Sequence, residues 1–260
     1  MKHDVNKFRR RLGRSPERRR GPDQNGFTLI EISVVLVIVT LLLGSLLVPL
    51  AAQIEQRQRA ETEKRLEEIK DALLGFAVAN GYLPCPAKSA ADGTEDRTTG
   101  VCGKRVGFLP WVTLGVAAAD SWENLYRYSV DAEFANSVAI FSLGQKTDIR
   151  IRGRDPLGNP INISNDGNTT PPKGRDIPAV VISHGKNGFG ATSRDGIARP
   201  LPATWTSALD EFQNANNSTD FWARVGSTNT ALAYGQYDDL VVWISPNILF
   251  SRMVAAGRLP

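Results

Sequence analysis

The sequence predicts an α+β fold: a long amino-terminal α-helix, half membrane-type and half amphipathic, packed on an antiparallel β-sheet with large loop insertions. Three observations predict it. No charged residue occurs from Ile32 to Ile54, a run of 23 positions. Beyond Leu50, the residues Ile54, Leu66, Ile69, Leu73 and Phe76 fall at spacings that share one helical face. After residue 82 the apolar runs are short, β-branched and separated by Gly, Pro and Asn. A helix followed by strands alone places the helix against one face of a sheet.

Residues 1–26 form a basic leader. They carry nine Lys or Arg against three acids, a charge of +6, while the other residues carry 22 basic and 24 acidic side chains, or −2. The formal net charge of +4 is therefore a property of the leader, and the remainder gives no reason to expect a nucleic-acid partner. Basic residues beside an apolar span stay cytoplasmic, which sets the amino end inside and the bulk of the chain outside, in the periplasm. Arg9-Arg10-Arg11-Leu12 is a poor twin-arginine signal, because the apolar run begins only at Phe27 and no small-residue cleavage site follows it.

Residues 27–50 are long enough to span a bilayer, which needs roughly 20 apolar residues. Gly44 and Pro49 interrupt the run. Residues 51–81 continue as an amphipathic helix, with Glu55 to Arg59 and Glu61 to Arg65 as i, i+4 pairs and Asn80-Gly81 as the stop. Residues 82–260 form the periplasmic globular domain. Within it, 82–119 reads as loop, and Asp120 to Val130 as a turn leading into a strand. Ser137–Phe141, Pro178–Ser183 and Leu240–Ile244 read as strands, and Ile248–Ala256 as a closing helix that ends at Gly257. Residues 152–176 and 199–236 read as long polar connections, the second anchored by Trp205, Phe212, Phe221 and Trp222. Outside the cytoplasm the two cysteines, Cys85 and Cys102, are expected to pair as a disulfide.

One carboxylate interrupts the logic of the span. Glu31 stands at its head, where an unpaired charge costs on the order of 2 to 3 kcal/mol. Nothing from Phe27 to Ile54 supplies a cation. A cut after Gly26 would supply one, the α-amino group of Phe27. The string Gly26-Phe27-Thr28-Leu29-Ile30-Glu31, between a basic leader and a charge-free run, resembles the type IV prepilin family, which includes type IV pilins and the pseudopilins of type II secretion.

The resemblance implies a pilin-like fold and a set of partners. A prepilin peptidase cuts after Gly26 and methylates the amine of Phe27. Glu31 pairs with the terminal amine of a neighbouring subunit and fixes its register. Membrane lipid, an inner-membrane assembly platform and other pilin or pseudopilin subunits are the remaining partners. The implied function is that of a structural subunit, a minor pilin or pseudopilin of a type IV pilus or type II secretion filament, and not that of an enzyme. Two alternatives stay open: a tip-located adhesin or DNA-capture pilin, and a periplasmic enzyme on a pilin-type anchor.

Three short phrases are also similar to segments of the major pseudopilins. They are Asp120-Ser121-Trp122-Glu123-Asn124-Leu125-Tyr126, Ser183-His184-Gly185-Lys186-Asn187-Gly188 and Asp238-Asp239-Leu240-Val241-Val242-Trp243. Ser121, Glu123 and Leu125 depart from the first pattern. The domain is larger than in that group, with insertions expected at 144–176 and 199–236. The last resemblance implies a structural calcium on Asp238 or Asp239, with Asp195 as a further ligand; no other cofactor is expected. The loops at 92–96 and 165–168 do not match the twelve-residue calcium pattern. Gly185 to Gly190 lacks the ending of a phosphate cradle and reads as a hairpin with Asn187-Gly188 at type I′ positions. Ser183 and His184 are strand neighbours and point to opposite faces, which disfavours a nucleophile–base pair.

Overall fold

A computed structural model describes residues 26–164, 177–201, 209–216 and 219–260, with the side chains of 45–49 outside that description. The chain divides into two compact units, Met1–Ala52 and Gln53–Pro260.

In the first unit, helix α1 (Leu29–Asn80) begins at the motif. The hydroxyls of Ser33 and Thr40 are satisfied within the helix, donating to the carbonyls of Leu29 (2.8 Å) and Leu36 (2.9 Å). Every described apolar side chain from Leu29 to Leu43 is largely exposed. Among the described residues no helix is long and apolar enough to cross a membrane.

The second unit holds the rest of α1 together with β1 (Arg97–Thr98), β2 (Val101–Cys102), β3 (Val106–Phe108), α2 (Trp111–Leu114), β4 (Arg127–Val130), β5 (Arg150–Arg154), β6 (Pro160–Asn162), β7 (Ala179–Ser183), α3 (Leu209–Ala215), β8 (Asp220–Trp222), β9 (Leu240–Trp243) and α4 (Pro246–Ala255). Strands β3-β4-β7-β9 form an antiparallel sheet, and β6-β5-β8 form a smaller one in which β5 and β8 run parallel. Successive strand residues point to opposite faces, so the four-stranded sheet feeds two cores. On one face Val181 and Leu240 pack with Leu66, Ile69, Leu73, Leu74 and Ala77 of α1 and with Leu249 and Met253 of α4. On the other, Val180 and Ile182 meet Ile149, Ile151 and Phe221 around the second sheet.

Leu66, Ile69 and Leu73 are buried as their spacing predicts, whereas Ile54 is exposed and Phe76 sits at the rim against Tyr82. Of the expected helical ion pairs, Glu61–Arg65 forms. Arg59 instead pairs with Glu63 (3.0 Å), and Glu55 reaches Lys186 (2.7 Å). The helix stops at Gly81, whose φ of 93° an L-residue tolerates poorly. Strands β4, β7 and β9 and helix α4 lie where the sequence places them, and Cys85 is joined to Cys102. That cross-link ties β2 to the Pro84–Pro86 segment, and its loop contributes roughly 3 kcal/mol by the chain-entropy estimate.

Three expectations are corrected. Ser137–Phe141 is not a strand: the Asn136 side chain accepts from the N–H groups of Val138 and Ala139 and holds a turn, and Phe141 serves as an anchor on Phe134. The two polar connections and the 82–119 loop contain, respectively, β6 with most of β5, α3 with β8, and β1, β2, β3 and α2. In β5 the arginines alternate with buried positions, so a half-buried strand was concealed by charge. Asn187 does not take a positive φ. The left-handed positions of that turn are Gly185 and Gly188, and Gly188 N–H donates to His184 O (3.0 Å), so the turn is not type I′; nor does it close a hairpin, since β7 pairs with β4 and β9. Trp205 lies outside the described residues.

Candidate functional site

The amino-terminal motif is organised by its own helix start. Thr28 precedes the first helical residue and Glu31 lies three residues on. Glu31 N–H donates to Thr28 Oγ1 (3.3 Å), and Thr28 N–H donates to Glu31 Oε2 (3.4 Å). This is a capping box, reciprocal but long and solvent-exposed. It holds the Glu31 carboxylate beside the backbone of Thr28, one residue from the nitrogen that a cut after Gly26 would release. A Cβ added to Gly26 would meet no atom within 4 Å, so local packing does not require glycine there. Phe27 and Leu29 are exposed as well.

The three phrases singled out in the sequence come together in the second unit. Asp120 accepts from the N–H groups of Trp122 (2.9 Å) and Asn124 (2.9 Å) through Oδ1 and from the Ser183 hydroxyl through Oδ2 (2.6 Å). Asn124 Nδ2 donates to Gly185 O (3.1 Å), joining the first phrase to the second. Asn187 N–H donates to Asp238 Oδ2 (2.8 Å), joining the second to the third. Gly185 is needed here: at φ 59° its Cβ would lie 2.5 Å from Asp238 O. Glu123 is the departure that carries strain, since it takes φ 62° in the left-handed region.

Asp120 is 1 % exposed, so its truncation strands three donors. Asp120→Ala is expected to cost about 3 kcal/mol or more. The melting temperature should drop by roughly 2–4 °C per kcal/mol, read by calorimetry on the full-length protein. An unchanged melting temperature would show that these phrases are not mutually supporting.

At the far end of this network lies an acidic cluster. Glu211 of α3 and Asp238 and Asp239, which lead into β9, place carboxylate oxygens within 4.8 Å of one another. Glu211 and Asp239 are 0 % and 3 % exposed. One oxygen of each carboxyl is used by the protein. Glu211 Oε1 accepts from Asn187 Nδ2 (2.9 Å) and Asp238 N–H (2.6 Å), and Asp239 Oδ2 accepts from Asn214 Nδ2 (2.8 Å). The other oxygens, Glu211 Oε2, Asp238 Oδ1 and Asp239 Oδ1, have no hydrogen-bond partner among the described residues. Buried His184 adds Nδ1 at 3.5 Å from Asp239 Oδ1. Burial, then the charge of Asp239, push the Glu211 carboxyl up to about 9. Burial and the same neighbour raise Asp238 to about 6.

Such a cluster is stabilised by a proton or by a hard cation, and three converging carboxylates suit calcium. Asp238 and Asp239, singled out in the sequence, both lie in this cluster, while exposed Asp195 is not part of the group. Glu211 was missed because it lies in a polar, Asn-rich stretch with no fixed spacing to the aspartates. Ser183 is buried and donates its hydroxyl to Asp120.

A basic, aromatic face occurs on the second sheet, but it is compensated internally. Arg154 and Arg224 converge on Asp210 (2.6 Å each) and stack against Trp222, Tyr234 and Tyr237, while Arg150 and Arg152 share Asp220.

Residues 22–47 match the prokaryotic N-terminal methylation motif, so the chain carries the signature of the type IV prepilin and pseudopilin family. That motif implies processing by prepilin peptidase and assembly with other pilins. No curated protein and no solved structure matches the chain.

Proposed function

We propose that the chain is a structural subunit, a minor pilin or pseudopilin, of a type IV pilus or type II secretion filament. Prepilin peptidase cuts it after Gly26 and methylates Phe27. Residues 27 to about 50 hold it in the inner membrane, amino end cytoplasmic and domain periplasmic, until assembly through an inner-membrane platform. The observation that carries this reading is the Glu31 carboxylate, held by a capping box at the head of the charge-free run that opens α1, with no Lys or Arg from Phe27 to Ile54 to pair with it. The amine of a neighbouring Phe27 is the partner that fits it.

A calcium ion is proposed as a structural cofactor, held by Glu211, Asp238 and Asp239. It would supply charge neutralisation and the missing partners for the orphaned oxygens.

Processing is tested at the cleavage site. Gly26→Ala removes no packing contact, so its effect reports recognition by the peptidase. The variant is expected to accumulate with its leader, read by intact mass. Unchanged removal of residues 1–26 would reject the cleavage site.

A further inference from the structure

The two larger sheets offer four edges, and these are treated differently. On β8, Trp222 N–H donates to Asn214 Oδ1 (2.7 Å) and Asn214 Nδ2 donates to Trp222 O (2.9 Å), so a side-chain amide takes the place of a strand. On β6 the outer row begins with Pro160, which has no N–H to offer. On β3, Ala87 N–H donates to Phe108 O (2.9 Å) and covers part of the edge.

Among the described residues, the edge of β9 has no such device. Its register with β7, and the bond from Ile244 N–H to Ala179 O (3.0 Å), direct Leu240, Val242 and Ile244 inward. Val241 and Trp243 therefore turn their N–H and C=O groups outward, and these have no partner among the described residues. Beside them runs an open groove of about 400 Å³, walled by Glu67, Lys70, Asp71 and Leu74 of α1 and by Ile248 and Arg252 of α4. Its charges are matched within the groove, Lys70 to Glu67 and Arg252 to Asp71. An incoming segment is thus repelled by neither sign and meets Leu74 and Ile248 as apolar seats. Natural edges are usually blunted by proline, lysine or a bulge, and an open one is a template for a further strand.

We infer that the β9 edge receives an extended segment of a neighbouring subunit that carries the same N-terminal methylation motif, by strand addition. The occupant follows from two facts. The motif implies assembly with other pilins, and one wall of the groove is formed by α1, the helix that begins within that motif at Leu29. The inference rests on the filament-subunit reading above.

Site-specific crosslinking tests it. Benzoyl-phenylalanine is placed at position 70 in the full-length protein, with position 225, 88 % exposed in the native chain, as reference. Ultraviolet adducts from position 70, and not from 225, should join the chain to a protein with the motif. Val241→Pro removes one outward N–H and should lower the adduct yield roughly tenfold. Ile248→Asp should do the same from an exposed position, without touching the backbone. The inference is overturned if filaments form normally with no adduct from position 70. It is equally overturned if the adducts join only proteins lacking the motif, or if both variants leave the yield unchanged. Absence of the protein from filaments overturns the subunit reading and this one together, whereas filament entry without adducts removes only the β9 contact.

Discussion

Glu31→Gln is expected to reach the membrane in native amounts and to be lost from filaments. Glu31→Ala should behave in the same way. The pair separates two roles of one side chain. In the free chain Glu31 accepts from Thr28 N–H in an exposed bond of 3.4 Å, and exposed caps contribute about 1 kcal/mol. Glutamine retains that acceptor and serves in a capping box as glutamate does. It carries no charge. In an assembled filament the carboxylate would face a neighbour's amine within packed apolar helices, where removing one partner of an ion pair costs about 3–5 kcal/mol. A loss of that size lowers incorporation by two orders of magnitude or more. Immunoblots of sheared filaments and of membranes give the two readouts. Rescue by glutamine but not alanine would assign Glu31 to capping alone, and native incorporation of both would remove its assembly role.

The motif was legible in the sequence because its signal is local: six consecutive residues, a charge step and an apolar run. The helix stop at Gly81, strands β4, β7 and β9 and helix α4 were legible for a similar reason, since periodicity and turn chemistry act within a few residues. The second sheet was not. Arg150, Arg152 and Arg154 present a row of charge that reads as loop, and only tertiary partners make it a strand face: Asp220 and Asp210 neutralise it, and Trp222 and Tyr234 cover Arg154. The acidic cluster was half legible. Asp238 and Asp239 are adjacent in sequence, but Glu211 reaches them through α3, and a long-range encounter leaves no trace in spacing. Asn214 shows the same limit. One turn of α3 beyond Asp210, it completes the edge of β8 and donates to Asp239, a double role that composition does not encode.

The acidic cluster gives the second large effect, and its sign depends on what fills it. Without a cation, the Glu211 carboxyl is raised to about 9, far above its unfolded value near 4.3. Its contribution to stability is therefore complete below the unfolded value and is lost as pH rises through about 9; Asp238, raised to about 6, acts in the same direction. The full-length protein in detergent and chelator should melt at progressively lower temperature from about pH 5 to about pH 9, with a limiting slope of about 1.4 kcal/mol per pH unit for each proton. Glu211→Gln should flatten this decline and raise the melting temperature at alkaline pH. The amide oxygen keeps the bonds from Asn187 Nδ2 and Asp238 N–H, while the amide nitrogen presents a donor, in place of a second charge, to the neighbouring carboxylates. Millimolar calcium should reverse the order. Native protein gains stability, and gains more at higher pH because the cation competes with protons for the same oxygens. The glutamine variant, lacking one charged ligand, gains much less. If calcium leaves native protein unmoved at pH 8 while Glu211→Gln still melts higher, the three carboxyls are held together by protons and the proposed cation is wrong. If the variant melts lower than native in chelator, the strain assigned to Glu211 is wrong as well.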